Sequence, residues 1–241
     1  MKRKFPLAAV CYPLVFCALN FTDSLRAQVY SQNIVGYYNL PLNAGNNYIA
    51  NQLDAGGGNT LDQIFQPGVP NGTTFTEWDA SQLQFLPSSI YNAATGWSIN
   101  YELNLGEGGL LNAPGAFTNT FVGSVGPAFD ATTQTINPPL ISGSGLWLLS
   151  CSVPLADPTF FDVVGRNPED GDFVRIFNSL SQTETTTTFD NGLWSNGTPL
   201  LAVGQAAFFG LQFQPAPEPA TLALLATGAG AVLAGNRRRR K

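Results

Sequence analysis

The 241-residue chain has a formal net charge of −5, no histidine and three cysteines. Without histidine, Ser-His and Cys-His catalysis and the commonest zinc ligands are excluded. Between Gln28 and Pro217 there is no lysine, and Arg166 and Arg175 face fourteen carboxylates, a net of −12. Such a surface excludes nucleic acid, whose binding rests on neutralising phosphates, and polybasic attraction to anionic lipid.

Residues 1–27 read as a secretory signal peptide. Lys2, Arg3 and Lys4 form a positive start, Phe5 to Phe21 an apolar stretch broken by Pro6 and Pro13, and Ala27 a small residue at the cut. A lipid anchor at Cys17 is disfavoured by the bulky Phe16 before it. Cleavage after Ala27 removes Cys11 and Cys17, so Cys151 alone remains and no internal disulfide can form.

The body repeats itself. Tyr48 to Leu53 matches Leu148 to Val153, and Leu61-Asp62-Gln63-Ile64 matches Phe161-Asp162-Val163-Val164. Pro70 to Phe75 matches Glu169 to Val174, and Trp78-Asp79 matches Phe177-Asn178. Gly96-Trp97-Ser98 answers Leu193-Trp194-Ser195, and Leu105-Gly106-Glu107 answers Val203-Gly204-Gln205, with Leu110-Leu111 and Phe208-Phe209 following. The offset drifts only from 100 to 97, which marks an internal duplication. Runs rich in Thr, Phe, Tyr, Trp and Val alternate polar with apolar residues, as in 47–53, 73–78, 82–90, 97–103, 109–112 and 118–122, and Gly, Asn, Asp and Pro separate them. Asp190-Asn191-Gly192 and Asn196-Gly197 are hairpin-turn sequences. One short helical turn fits 61–65. The expected fold is all-β with minor helix: two tandem, duplicated, small β-sandwich or barrel-like modules, 28–126 and 140–214, joined by a Thr- and Pro-rich linker, 127–139.

Candidate chemistry in the body is sparse. The loop Asp54 to Thr60 is glycine-rich but lacks the lysine of a phosphate-binding loop, and reads as a surface turn. Glu169-Asp170-Gly171-Asp172 lacks the spacing and distal Glu of a calcium loop and reads as a solvated turn; no metal ligand set and no cofactor are expected. Glu77, Asp79, Glu102 and Glu107 are the carboxylates from which a glycosidase pair would have to come. Asp79 and Glu107 become Asn178 and Gln205 in the second copy, and no catalytic residue is assigned. Trp97 and Trp194, at matching positions, read as core keystones. Trp78 and Trp147 are the candidates for stacking against sugar rings. Cys151 sits in an apolar run and reads as a small buried hydrophobe.

From Ala220 to Gly235 the chain is uncharged, and it then closes on Asn236, Arg237, Arg238, Arg239, Arg240 and Lys241. Sixteen helical residues reach about 24 Å, short of the roughly 30 Å hydrocarbon core, so a single marginal transmembrane helix is expected, with the cations as a stop-transfer signal on the cytoplasmic side. Pro217-Glu218-Pro219, the short apolar helix and the basic cluster, in that order over residues 215–241, resemble the PEP-CTERM sorting signal of Gram-negative bacteria. The resemblance implies export through the secretion translocon, transient anchoring in the inner membrane and processing by an exosortase-like transpeptidase, in a setting of exopolysaccharide and biofilm. The body resembles the duplicated β modules of other exported PEP-CTERM proteins, notably at Ser31 to Asn39, and that likeness implies no activity. The functional expectation is a non-enzymatic cell-envelope or extracellular-matrix protein with a structural or adhesive role. The alternatives are a polysaccharide-binding module and a carboxylate-dependent secreted hydrolase.

Overall fold

The computed structural model describes residues 35–212, apart from 66, 131, 132, 134 and 142. The signal peptide and its cut at Ala27 lie outside the described residues, as do the sorting motif, the apolar helix and the basic cluster. Among the described residues no helix is long and apolar enough to cross a membrane.

The chain is mostly strand. In order, the elements are β1 (Val35–Leu42), β2 (Gly45–Ala50), β3 (Leu53–Asp54), α1 (Leu61–Ile64), β4 (Thr74–Asp79), β5 (Gln84–Phe85), β6 (Ser89–Asn92), β7 (Gly96–Trp97), β8 (Gly108–Ala113), β9 (Phe117–Val125), β10 (Phe129–Asp130), β11 (Thr135–Ile136), β12 (Gly145–Leu149), α2 (Phe160–Val164), β13 (Phe173–Asn178), β14 (Thr183–Asp190), β15 (Leu193–Trp194) and β16 (Ala207–Leu211). One sheet runs β2-β8-β4-β6-β7 with β5 beside β4, and another runs β12-β16-β13-β14-β15. A third, β1-β9-β3, belongs to the first half, and β10 and β11 pair within the stretch expected as linker. There Ala128, Phe129 and Ile136 pack against the core of the second half.

The two large sheets share order and register. Tyr48 pairs with Leu110 as Leu148 pairs with Phe208, Phe75 with Leu111 as Val174 with Phe209, and Tyr91 with Trp97 as Phe189 with Trp194. Even the turn before the third strand is kept. Gly72 N–H bonds Tyr91 O at 3.0 Å and Gly171 N–H bonds Phe189 O at 2.8 Å, both glycines at positive φ. Strand propensity and turn chemistry are local properties, so two similar sequences rebuild the same ladder.

The helices refine the alignment. Thr60 and Thr159 are the N-caps, and Gln63 and Asp162 accept their backbone N–H groups at 3.0 and 2.8 Å, a capping box in each copy. Leu61 therefore corresponds to Phe160, not to Phe161 as the aspartates at 62 and 162 suggest. Leu61 and Phe160 are buried, whereas Phe161 is 44% exposed.

Each half has its own core. Trp97 meets Phe65 and Tyr91 at 5.3 Å in the first, and Trp194, half-buried, meets Phe189 at 5.2 Å and Phe160 at 5.6 Å in the second. A smaller cluster of Ala50, Leu148, Ala206 and Phe208 takes residues from both. The junction is reciprocal. Ala50 N–H bonds Gly204 O and Ser150 N–H bonds Gly106 O, each at 2.9 Å, and the bridges Ile49–Gln205 and Glu107–Leu149 mirror one another. The end of β2 thus pairs with the segment entering β16, and the end of β12 with the segment entering β8.

Candidate functional site

The reciprocal junction leaves a cleft on either side. One, of about 640 Å³, lies between the end of β4 and the outer edge of β12, and its lining includes Glu77, Trp78, Asp79, Glu107, Ser144 and Trp147. The two tryptophans singled out in the sequence thus line one cleft, although 69 positions separate them in the chain. Both are half-buried. Trp78 stands edge-on to Phe85 and Phe208, with ring centroids at 5.0 and 4.9 Å, and its Nε1–H donates to Leu146 O at 2.8 Å. Trp147 packs on the second core, and its Nε1 is buried with no hydrogen-bond partner among the described residues.

The carboxylates divide into two kinds. Asp79 Oδ1 accepts from Ser81 Oγ at 2.6 Å, Ser81 N at 2.8 Å and Gln82 N at 3.2 Å, and the Ser81 hydroxyl holds its pKa below the usual value. Its counterpart Asn178 accepts from Leu180 N and Ser181 N in the same way. Glu107 Oε2 accepts from Asn104 N at 3.0 Å, and Gln205 Oε1 from Ala202 N at 3.1 Å. A neutral amide serves both positions in the second copy, so the structural task there is to cap a turn, and it needs no charge.

Glu77 is different. Its counterpart Ile176 packs against the second core. In the first copy this strand position carries a half-buried carboxyl whose pKa is pushed up to about 7, first by burial and then by repulsion from Glu107, Asp79 and Glu102. An apolar counterpart in the repeat is the sequence signal that marks this carboxyl as perturbed, and composition alone does not reveal it.

The raised pKa makes stability depend on pH. Below about pH 4 Glu77 is protonated in both folded and unfolded chains and costs nothing. As pH rises through the folded value near 7, the folded state must ionise a shielded carboxyl, and the advantage held at lower pH is lost. Because the group is only partly buried and solvent screens it, the loss between pH 5 and pH 8 is about 1–2 kcal/mol. Urea denaturation at the two pH values measures it, and Glu77→Gln is expected to remove that part of the slope.

Other candidates resolve into structure. Cys151 is fully buried, and desolvation raises its thiol to about 11, which suits a packed hydrophobe rather than a nucleophile. In the glycine-rich loop Ala55 N bonds Asn59 Oδ1 at 2.8 Å and Gln63 Nε2 bonds Gly57 O at 3.1 Å, so neighbouring side chains occupy its backbone. The turn at 169–172 is not simply solvated, because Asp172 is fully buried. Its two oxygens take Arg166 Nη1 and Nη2 at 2.7 and 3.0 Å, Glu169 N at 2.8 Å and Gln212 N at 2.8 Å.

The second cleft, of about 510 Å³, is the first one's counterpart. Asn47, Tyr48 and Ile49 stand for 147–149, Ile176, Phe177 and Asn178 for 77–79, and Gln205 for Glu107. Comparison with protein-family models, with curated proteins and with solved structures finds no match for this chain, so its site is described by its own residues alone.

Proposed function

We propose that this chain is an exported cell-envelope or extracellular-matrix protein with a structural or adhesive role and no catalytic activity. Residues 1–27 direct it to the secretion translocon. Residues 215–241 anchor it briefly through one transmembrane helix, until an exosortase-like transpeptidase acts near Pro217-Glu218-Pro219. The delivered body is a pair of duplicated β-sandwich or barrel-like modules joined as one unit. The observation that carries the reading is the partition of charge: cations collect at the two ends, and the lysine-free body between them holds a net of −12. A buried, reciprocal junction suits a body that keeps its shape outside the cell. Catalysis has little support, since Asp79 and Glu107 each spend an oxygen on a turn that an amide caps equally well in the other copy.

Mass spectrometry of the secreted protein tests the sorting step. From a host with its sorting enzyme, the mature protein should begin at Gln28 and lack the residues that follow the Pro217 region. From a host without that enzyme, the tail through Lys241 should be intact. An intact tail in both hosts would refute processing.

A second reading, polysaccharide binding, is favoured by one observation: Trp78 and Trp147 line the same cleft. Half-buried aromatic rings beside hydrogen-bonding groups are what a sugar-binding surface requires.

A further inference from the structure

The two equivalent clefts have diverged, and the differences fall on the residues that would meet a ligand. At the edge of β2 a side chain takes the place of a neighbouring strand, beside a cleft that stays open. Gln182 Nε2 donates to Asn46 O at 3.0 Å and Gln182 Oε1 accepts Asn46 N–H at 2.9 Å, so one side chain satisfies both outward backbone groups as a neighbouring strand would. Asn43 Nδ2 reaches Ser179 Oγ at 2.9 Å, and Asn39 to Leu42 add a further wall. The position equivalent to Gln182 is Leu83. Both sit at left-handed backbone angles, φ 55° and 52°, but Leu83 is 58% exposed and has no amide to offer the edge of β12. That edge has instead the Trp78 bond to Leu146 O at 2.8 Å.

The lining changes in step. Where the cleft at β2 has Ile176, Asn178 and Gln205, the other has Glu77, Asp79 and Glu107, and Trp78 replaces Phe177. None of these changes is needed for folding, because the second copy folds to the same register without them. We propose that the cleft between β4 and the outer edge of β12, rather than its counterpart at β2, takes a segment of uncharged polysaccharide. This rests on the polysaccharide-binding reading above.

The chemistry selects the ligand class. Sugar hydroxyls donate to carboxylate oxygens, and the apolar faces of the rings pack on aromatic side chains. An anionic polymer meets three carboxylates in a body of net charge −12 and is repelled. An added peptide strand needs a run of open backbone groups. Here Trp78 already holds Leu146 O and Glu107 bridges Leu149, which leaves too little of β12 free.

The test is titration calorimetry of the full-length chain with linear neutral hexasaccharides built on glucose, mannose, galactose or N-acetylglucosamine, and with an alginate hexasaccharide as the anionic control. At least one neutral oligomer should bind at one site per chain, and alginate should not. Glu77→Ile and Leu83→Gln each copy a residue from the β2 side into its counterpart, where the other copy carries it in the same register. Each should weaken binding by about tenfold or more, with thermal melting showing that the variant is folded. Two sites per chain, or binding unchanged in both variants, would leave polysaccharide binding standing and overturn its assignment to this cleft. Binding of alginate as tight as that of the neutral oligomers would overturn the ligand class. Failure of every oligomer to bind would remove the polysaccharide-binding reading and this inference with it.

Discussion

Gln52→Leu is expected to lower the stability of the body by about 3–4 kcal/mol in urea denaturation. Gln52 is fully buried, and its amide reaches only the other copy. Nε2 donates to Ser150 Oγ and Cys151 O, both at 3.1 Å, and Oε1 accepts Gly204 N–H at 2.8 Å. A leucine fills much of the volume but leaves the buried Gly204 N–H and Cys151 O without those partners. An unmet buried group costs about 1–3 kcal/mol. The equivalent position supplies an internal control. Ser152 Oγ is buried and makes no hydrogen bond among the described residues, so Ser152→Ala should be neutral or stabilising by up to about 1 kcal/mol. A loss below about 1 kcal/mol for Gln52→Leu would mean that the two halves do not depend on this amide for their junction.

Asp172→Ala is expected to cost about 3–5 kcal/mol, because it leaves a partly buried guanidinium and the Glu169 and Gln212 N–H groups without this fully buried carboxylate. Arg166 holds both carboxylate oxygens and lies over the Phe160 ring, with its guanidinium carbon 5.8 Å from the centroid. The pairing with Asp172 raises the Arg166 pKa. Asp172 also receives Gln212 N–H, at the last described residue, and so ties the end of the body to the turn before β13. The first copy manages without a charge at this position. Thr73 is equally buried there, and its Oγ1 donates to Pro70 O at 2.7 Å. The double variant Arg166→Met with Asp172→Thr should therefore recover at least half of the loss, measured by urea denaturation. Equal destabilisation of the single and double variants would show that the cost comes from packing at Asp172 rather than from the unpaired guanidinium.

Both predictions concern residues whose importance the sequence hides. Gln52 aligns with a serine and Asp172 with a threonine, so neither stands out as a repeated feature. The same holds for Glu77, whose meaning depends on Ile176 occupying its place in the second copy. The capping boxes show the limit from another side. Matching Asp62 to Asp162 looks natural in the sequence, yet the caps at Thr60 and Thr159 shift the helices by one residue, because burial of Leu61 and Phe160 decides the register.

From the sequence alone the all-β class, the duplication and the core role of Trp97 could be read. These rest on alternation of side chains, turn residues and repetition, which are written within a few neighbouring positions. Only the tertiary structure decided that the halves exchange edges at Gly106 and Gly204. It also showed that Trp78 and Trp147 line one cleft and that Gln182 covers the edge of β2 at Asn46. Those contacts join residues 44 to 154 positions apart, and no local preference encodes which edge of which strand they will find; burial and hydrogen-bond satisfaction across the junction select them.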